Sequence, residues 1–405
     1  MKDPIRSQQT MNRRQAMQHS AGMATGVSIL HNSATKDSPT DLSPETIRAY
    51  LKKLLMQRED VEGWLASTLF PFGKYDAQLG YIHIDRDFKE GLDAAVCHYR
   101  YDKLNARRAM SHAGQPCRIN TYGNSFTSCE QVSDGETWQE VLASHLGEPI
   151  RNYGVGGYSV YQSYLRMKRE EERAPAKYII FNIFDDDHER NLHGWQRFKF
   201  GVNRISANPT VPHVQVDPDH NRFREHPNPC PTPESLLQLT DLDDAYTLFK
   251  NDFVLHNRLQ RQAKRQKGLP IPPTDYDDSD LMRHGIYATT RIIERIEQFA
   301  ASTDRKILYV LSYGGYTLRQ FIIGNKRFDQ SLIDFLKHHQ LPYIDMMTAH
   351  AEDYAKFQLD IAPYLSRYFV GHYNPLGNFF CAFAIKNAIV KMTSPKSPAY
   401  LPPRR

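Results

Sequence analysis

Long uninterrupted apolar runs are missing from this 405-residue sequence. Hydrophobic residues make up 40% of the chain, but no window reaches the roughly 20 consecutive apolar residues that a membrane-spanning helix needs. We therefore expect no membrane span, and the hydrophobic content is sufficient for one large domain with insertions or for two domains of ordinary size.

Blocks of basic residues are also scarce. The 51 lysines and arginines are nearly balanced by 46 aspartates and glutamates, so the formal net charge is only +5. No long Lys/Arg block with interleaved aromatic residues occurs, which is the pattern typical of a nucleic-acid interface. We therefore expect no nucleic-acid partner.

Cysteines are too few to define a disulfide scaffold, and their odd number leaves at least one of them unpaired. A bridge between Cys117 and Cys129 and two free thiols are both compatible with the sequence, and free thiols are the simpler expectation. The five cysteines are Cys97, Cys117, Cys129, Cys230 and Cys381.

The first 42 residues differ in character from the rest of the chain. Arg13 and Arg14 precede a mildly apolar run of small residues, which is similar to a twin-arginine export signal. A disordered tail on a cytoplasmic protein is the alternative, so the sequence leaves the localisation open.

Strand and helix patterns alternate along most of the remaining chain. We expect an N-terminal helical extension over residues 43–112 and one domain over residues 113–395, followed by a flexible tail at 396–405. The alternation of apolar strands with amphipathic helices predicts a parallel sheet covered on both faces. It breaks at about residues 188–280, a stretch rich in Pro, Asn, His and Asp that we interpret as an insertion over the active site.

Four positions along this predicted sheet suggest chemistry. Ser125 in YGNSFTSC follows a strand and begins a helix, where backbone N–H groups favour a developing negative charge. Gly157 in NYGVGGYS lacks a Cβ, so its backbone N–H can approach a substrate oxygen. IFDDDHERN ends the central strand, and His372 in GHYNPLGN lies just before the last helix, where it could act as a general base for the serine.

Taken in this order, these blocks resemble the SGNH, or GDSL-type, hydrolase family, and YGNSFTSCEQVSDGETW is similar to the subgroup whose first block reads G-D-S-F-T. The resemblance implies a three-layer, flavodoxin-like α/β sandwich. It further implies a catalytic serine at Ser125, a catalytic base at His372, and an oxyanion hole formed by Ser125, Gly157 and a group near Asp186.

Three blocks depart from the family pattern. Asn124 replaces the aspartate of the first block, which leaves the nucleophile in place. Asp185, Asp186 and Asp187 replace the usual Gly-x-Asn-Asp, so Asp186 falls on the position of the oxyanion asparagine. A carboxylate there would repel an oxyanion unless it is protonated or turned away.

The triad acid is missing from its expected place, where Phe369 and Val370 precede His372. A Ser-His pair can still function if another group holds the imidazole ring. The candidates for this role are Asp186, Asp187, Asp345 and Asp360.

We therefore predict a serine hydrolase that cleaves a small-molecule or carbohydrate ester, or transfers its acyl group, without a cofactor. The alternative is a degenerate SGNH-fold protein that binds a carbohydrate or ester ligand without turnover. A metal site is not expected, because adjacent residues such as Asp185, Asp187 and His188 point in different directions on an extended chain. Trp195, Phe198 and Phe200 in the insertion could form a sugar or acyl platform, but core packing is the simpler interpretation.

Overall fold

The computed structural model describes residues 42–68, 70–202, 210–270 and 278–401. Leu42–Arg405 forms one compact unit. The arginine pair Arg13 and Arg14 lies outside the described residues, so export remains a prediction.

The described strands belong to one central sheet and three two-stranded pairs. In chain order they are β1 Gly73–Asp76, β2 Gly80–His83, β3 Arg86–Lys89, β4 Val96–Tyr99, β5 Ile119–Tyr122, β6 Arg151–Asn152, β7 Tyr178–Phe184, β8 His213–Asp217, β9 Arg222–His226, β10 Lys306–Ser312 and β11 Tyr343–Asp345.

The central sheet is parallel, with the spatial order β11-β10-β7-β5-β6. With these five strands numbered 1 to 5 in chain order and read from the β6 edge, the order is 2-1-3-4-5, which is the order of flavodoxin-like folds. Every residue of β7 is buried, as expected of a strand in the middle of a sheet that is covered on both faces. The predicted α/β class with a parallel sheet is confirmed.

The described helices range from single turns to a helix of 24 residues. In chain order they are α1 Pro44–Lys52, α2 Arg58–Leu65, α3 Ser125–Ser128, α4 Trp138–Leu146, α5 Val160–Arg173, α6 Asp187–Arg190, α7 Arg197–Phe200, α8 Leu242–Phe249, α9 Phe253–Gln266, α10 Ser279–Ser302, α11 Gly315–Gly324, α12 Gln330–His338, α13 Met346–Tyr354, α14 Ile361–Tyr368 and α15 Pro375–Met392.

Two groups of helices flank the sheet. Helix α15 packs against α4, α13 and strand β10, and α10 packs against α5, α12 and the same strand. The helix α10 can do this because its apolar residues recur at helical spacing and form one buried stripe. None of the helices among the described residues is both long enough and apolar enough to cross a membrane.

The N-terminal extension begins with the helices α1 and α2 and also contains the antiparallel pairs β1-β2 and β3-β4. Some of its apolar side chains, including Trp64 and Tyr81, belong to a second, smaller core. Val155 and Tyr158, from the glycine-rich turn after β6, belong to the same core. The extension therefore packs directly on a turn that the sequence links to the site.

The insertion between β7 and β10 contains the helices α6 to α9 and the hairpin β8-β9. Trp195 and Phe198 are buried in it, where both rings contact Phe249. Phe200 is 43% exposed. Trp195 and Phe198 are thus core residues of the insertion, and because they are buried they cannot form an aromatic platform for a ligand.

The cysteines are all unpaired, so the bridge between Cys117 and Cys129 is not formed. In the predicted tail, Pro398–Tyr400 forms a 3-10 turn. This turn packs against Gly147, where a Cβ would lie 3.3 Å from Ala399 N. The start of the tail is therefore part of the packed structure.

Truncating a side chain in the central strand should reveal how strongly the sheet depends on its packing. Phe181 is completely buried in β7, so Phe181→Ala should lower the free energy of unfolding by about 3–5 kcal/mol. Phe200→Ala, at an exposed site, should cost less than about 1 kcal/mol. Urea denaturation of both variants measures the difference, and equal losses would contradict the assignment of β7 to the core.

Candidate active site

Ser125 begins helix α3 directly after the turn that ends β5. Asn124 caps this helix, and its side-chain oxygen accepts a hydrogen bond from Phe126 N at 2.7 Å. Gly123 has a φ of +149°, and a Cβ there would lie 2.7 Å from Asn182 O. The tight turn therefore requires glycine, and it places Ser125 at the carboxyl end of β5.

This edge of the sheet is where flavodoxin-like folds bind ligands. The strand order reverses between β5 and β7, and such a switch point leaves a crevice outside the carboxyl ends of the two strands. Ser125 follows β5, and Asp185 to Asp187 follow β7. Both predicted site segments therefore flank the switch point.

His372 reaches Ser125 from the far end of the chain. Its Nε2 atom lies 2.8 Å from Ser125 Oγ. The serine is only 6% exposed, whereas the histidine side chain is 19% exposed. The structure thus brings the predicted nucleophile and base within hydrogen-bond distance, and leaves the histidine ring partly open to solvent.

Two residues just beyond the C-cap of the short helix α3 contact the histidine. Gln131 Oε1 lies 3.2 Å from His372 Nδ1 and accepts a hydrogen bond from His372 N at 2.6 Å. Glu130 Oε2 lies 3.7 Å from His372 Nε2. The ring is therefore contacted at Nδ1 by a neutral amide and near Nε2 by a carboxylate.

Three of the four aspartates proposed to orient His372 interact with other groups. Asp186 pairs with Arg190 and Lys199, and Asp187 pairs with Arg190 and accepts hydrogen bonds from Phe184 N and Asn124 Nδ2. Asp345 pairs with Arg327 at 2.7 Å, and Asp360 occupies the N-cap position of α14, where its side chain makes no capping hydrogen bond.

The glycine-rich turn after β6 is held by strand β2. Tyr81 Oη donates a hydrogen bond to Gly156 O at 2.8 Å, and Gly156 N donates one to His83 Nε2 at 3.2 Å. Gly157 has a φ of +80°, and a Cβ there would lie 2.7 Å from Tyr81 Oη. These contacts fix the turn, while the oxyanion roles of Ser125, Gly157 and Asp186 remain predictions.

The residues considered as metal ligands have separate partners. Asp185 Oδ2 accepts hydrogen bonds from Gly314 N and Thr317 Oγ1, and His188 Nδ1 lies 2.8 Å from Thr289 Oγ1. Within the described part of the chain, no three His, Cys, Asp or Glu side chains are grouped so that they could hold an ion.

Four residues that contact the predicted site residues are only weakly indicated by the sequence. Glu130 and Gln131 are two polar residues after a short helix, and nothing in their spacing indicates contact with His372. Tyr81 and His83 belong to the N-terminal extension, for which the sequence predicts helices. Only the β-prone pair Tyr81 and Ile82 in GYIH could have suggested that β2 exists.

The pH dependence of stability should report the buried carboxyl of Asp187. Burial raises its pKa from 3.8 to about 7, although the Arg190 guanidinium opposes this shift. Between these pH values the folded state holds a proton that the unfolded state releases, so this contribution to stability falls as pH rises from about 4 to about 7. Relative to the Asp187→Asn variant, the free energy of unfolding of the wild type should fall by about 1–4 kcal/mol over this pH range.

Urea denaturation at pH 5 and pH 8 measures this loss. Asp93→Asn, at an exposed position in the 3-10 turn Leu92–Ala94, is the matched control and should follow the wild type at both pH values. A constant difference between wild type and Asp187→Asn would show that Asp187 is ionised throughout.

Comparisons with known proteins found similarity only among solved structures. No protein-family model matches the chain, and no curated protein matches it significantly. An acetylxylan esterase from Geobacillus stearothermophilus is 10% identical with a TM-score of 0.36, over 69% of this chain and 96% of that chain. A GDSL-like lipase from Bacteroides thetaiotaomicron is 11% identical with a TM-score of 0.31, over 69% and 89%.

A third similar structure is the alpha/beta hydrolase LAE5 from the metagenome of Lake Arreo. It is 12% identical with a TM-score of 0.37, over 71% of this chain and 100% of that chain. Values this low do not assign a family or a substrate to the chain, so its function must be inferred from its own site.

Proposed function

We propose that the protein is a serine hydrolase of the SGNH type that acts on ester bonds, with Ser125 as nucleophile and His372 as general base. The observation that supports this most strongly is the 2.8 Å distance between Ser125 Oγ and His372 Nε2. A serine hydroxyl is a weak nucleophile unless a base within hydrogen-bond reach removes its proton. The pair lies at the switch point of the sheet, where a substrate could reach it.

The reaction follows from these roles. Ser125 Oγ attacks the ester carbonyl carbon while its proton passes to His372 Nε2, and backbone N–H groups of Ser125 and Gly157 stabilise the oxyanion. The alcohol leaves with the proton from His372, and an acyl-serine remains. Water or a sugar hydroxyl then attacks the acyl-serine, with His372 again acting as base, and Ser125 is regenerated.

The substrates we propose are small-molecule or carbohydrate esters. The acyl and alcohol groups would be selected by the insertion, because it follows β7 directly at the edge of the sheet where Ser125 lies.

Binding without turnover is the second candidate function, and negative charge near the serine favours it. Glu130 lies 3.7 Å from His372 Nε2, and a Cβ on Gly156 would overlap the Glu130 carboxylate. The resemblance places Asp186 at the position of an uncharged asparagine, and its carboxylate pairs with Arg190 and Lys199. The carboxylate of Glu130, so close to the base, disfavours an oxyanion, whereas it could accept hydrogen bonds from sugar hydroxyl groups.

Labelling with a fluorophosphonate probe distinguishes the two candidates. The wild type should gain one adduct by intact mass, and Ser125→Ala should gain none. His372→Ala should react at least about 100-fold more slowly, because the proton acceptor is lost. Ser128→Ala is the matched control, since this buried serine lies on the same helix and its hydroxyl has no hydrogen-bond partner among the described residues.

A labelled wild-type protein should also hydrolyse short acyl esters such as p-nitrophenyl acetate, with the same order of activity among the variants. A folded wild type that stays unlabelled would overturn the hydrolase proposal and support ligand binding without turnover.

A further inference from the structure

We propose that two consecutive residues, Gln131 and Glu130, divide the work of the missing triad acid. Gln131 orients the ring of His372, and Glu130 supplies the negative charge that stabilises it when protonated. This inference rests on the proposed function, because it concerns how His372 acts on Ser125. It assigns both residues as positioning residues rather than catalytic ones.

A triad acid normally has two tasks. It holds the imidazole in the tautomer and orientation that the nucleophile needs, and it stabilises the imidazolium that forms during the reaction. Here the expected positions hold apolar residues. Val370 N donates a hydrogen bond to His372 O at 2.9 Å, and the Phe369 ring packs against Tyr373. Neither residue can perform either task.

The amide of Gln131 is placed to perform the first task. Its Nε2 donates a hydrogen bond to Glu90 O at 3.2 Å, so its oxygen faces His372. An amide oxygen only accepts hydrogen bonds, so the Nδ1 atom at 3.2 Å must carry the proton. His372 Nε2 then carries no proton and can accept the proton of Ser125.

The backbone conformation of Gln131 and the space beside it hold its amide against His372. Gln131 has a φ of +73°, in a left-handed region that costs a non-glycine residue energy. Its N–H donates to Tyr99 Oη at 2.7 Å, and Tyr99 Oη donates to Glu90 at 2.6 Å. A Cβ on Gly371 would lie 2.6 Å from Gln131 Oε1, so only glycine leaves room for the amide beside His372.

The carboxylate of Glu130 is placed to perform the second task. It lies 3.7 Å from His372 Nε2, and its side chain is only 16% exposed, so solvent screens the interaction incompletely. Gly156 leaves the space that this carboxylate occupies. An opposite charge at this distance favours the protonated ring, and Nε2 is the atom that receives the serine proton.

Rates of fluorophosphonate labelling as a function of pH test the division of tasks. Gln131→Leu should lower the plateau rate about 100-fold or more and leave the pH midpoint nearly unchanged, because a neutral partner is lost. Glu130→Gln should move the midpoint to lower pH by about 0.5–1 unit and reduce the plateau rate less, because an opposite charge is lost. Gln131→Glu should keep the plateau rate near that of the wild type and raise the midpoint.

Matched controls are Gln115→Leu and Glu172→Gln, two exposed positions that should label like the wild type. Circular dichroism identifies any variant that does not fold. If Gln131→Leu does not fold, the pH midpoints of Gln131→Glu and Glu130→Gln still test the inference. A folded Gln131→Leu with the wild-type rate, or unchanged midpoints in both charge variants, would overturn this inference alone. Absence of labelling in the wild type would instead refute the proposed function.

Discussion

The hydrogen bond between Ser125 and His372 is the interaction on which the proposed chemistry depends, and its geometry depends on helix packing. Ser125 precedes α4 and His372 precedes α15, and these two helices pack against each other. Trp138 N donates a hydrogen bond to Asn378 Oδ1 at 3.1 Å, and the Trp138 indole donates to Phe126 O at 3.1 Å. The helix pair thus fixes the distance between the segments that hold the serine and the histidine.

The second constraint is that three positions around the site must lack a side chain. Gly123 permits the turn before the serine, Gly156 leaves room for Glu130, and Gly371 leaves room for Gln131. Each glycine lies where a Cβ would meet an atom of the site or of its supporting turn. The site is therefore shaped by close approach of backbone and side chain, and the left-handed conformation of Gln131 is part of the cost.

The N-terminal extension is a structural part of the site. Tyr81 and His83 of β2 hold the glycine-rich turn by hydrogen bonds, and the small apolar core of the extension includes residues of that same turn. Burial lowers the pKa of His83 well below its usual value, which is consistent with a neutral ring whose Nε2 accepts from Gly156. A central domain without this extension would lose the support of its predicted oxyanion turn.

The sequence by itself determined the alternation of strands and helices, the buried strand β7, the turn before Ser125 and the loop of His372 before the last helix. These features follow from apolar periodicity and turn chemistry, which are local properties of the chain. Only the tertiary structure decided what contacts the far side of the histidine ring. Gln131 and His372 are 241 residues apart, and a hydrogen bond between them depends on ångström-scale packing of several elements, which no local pattern encodes.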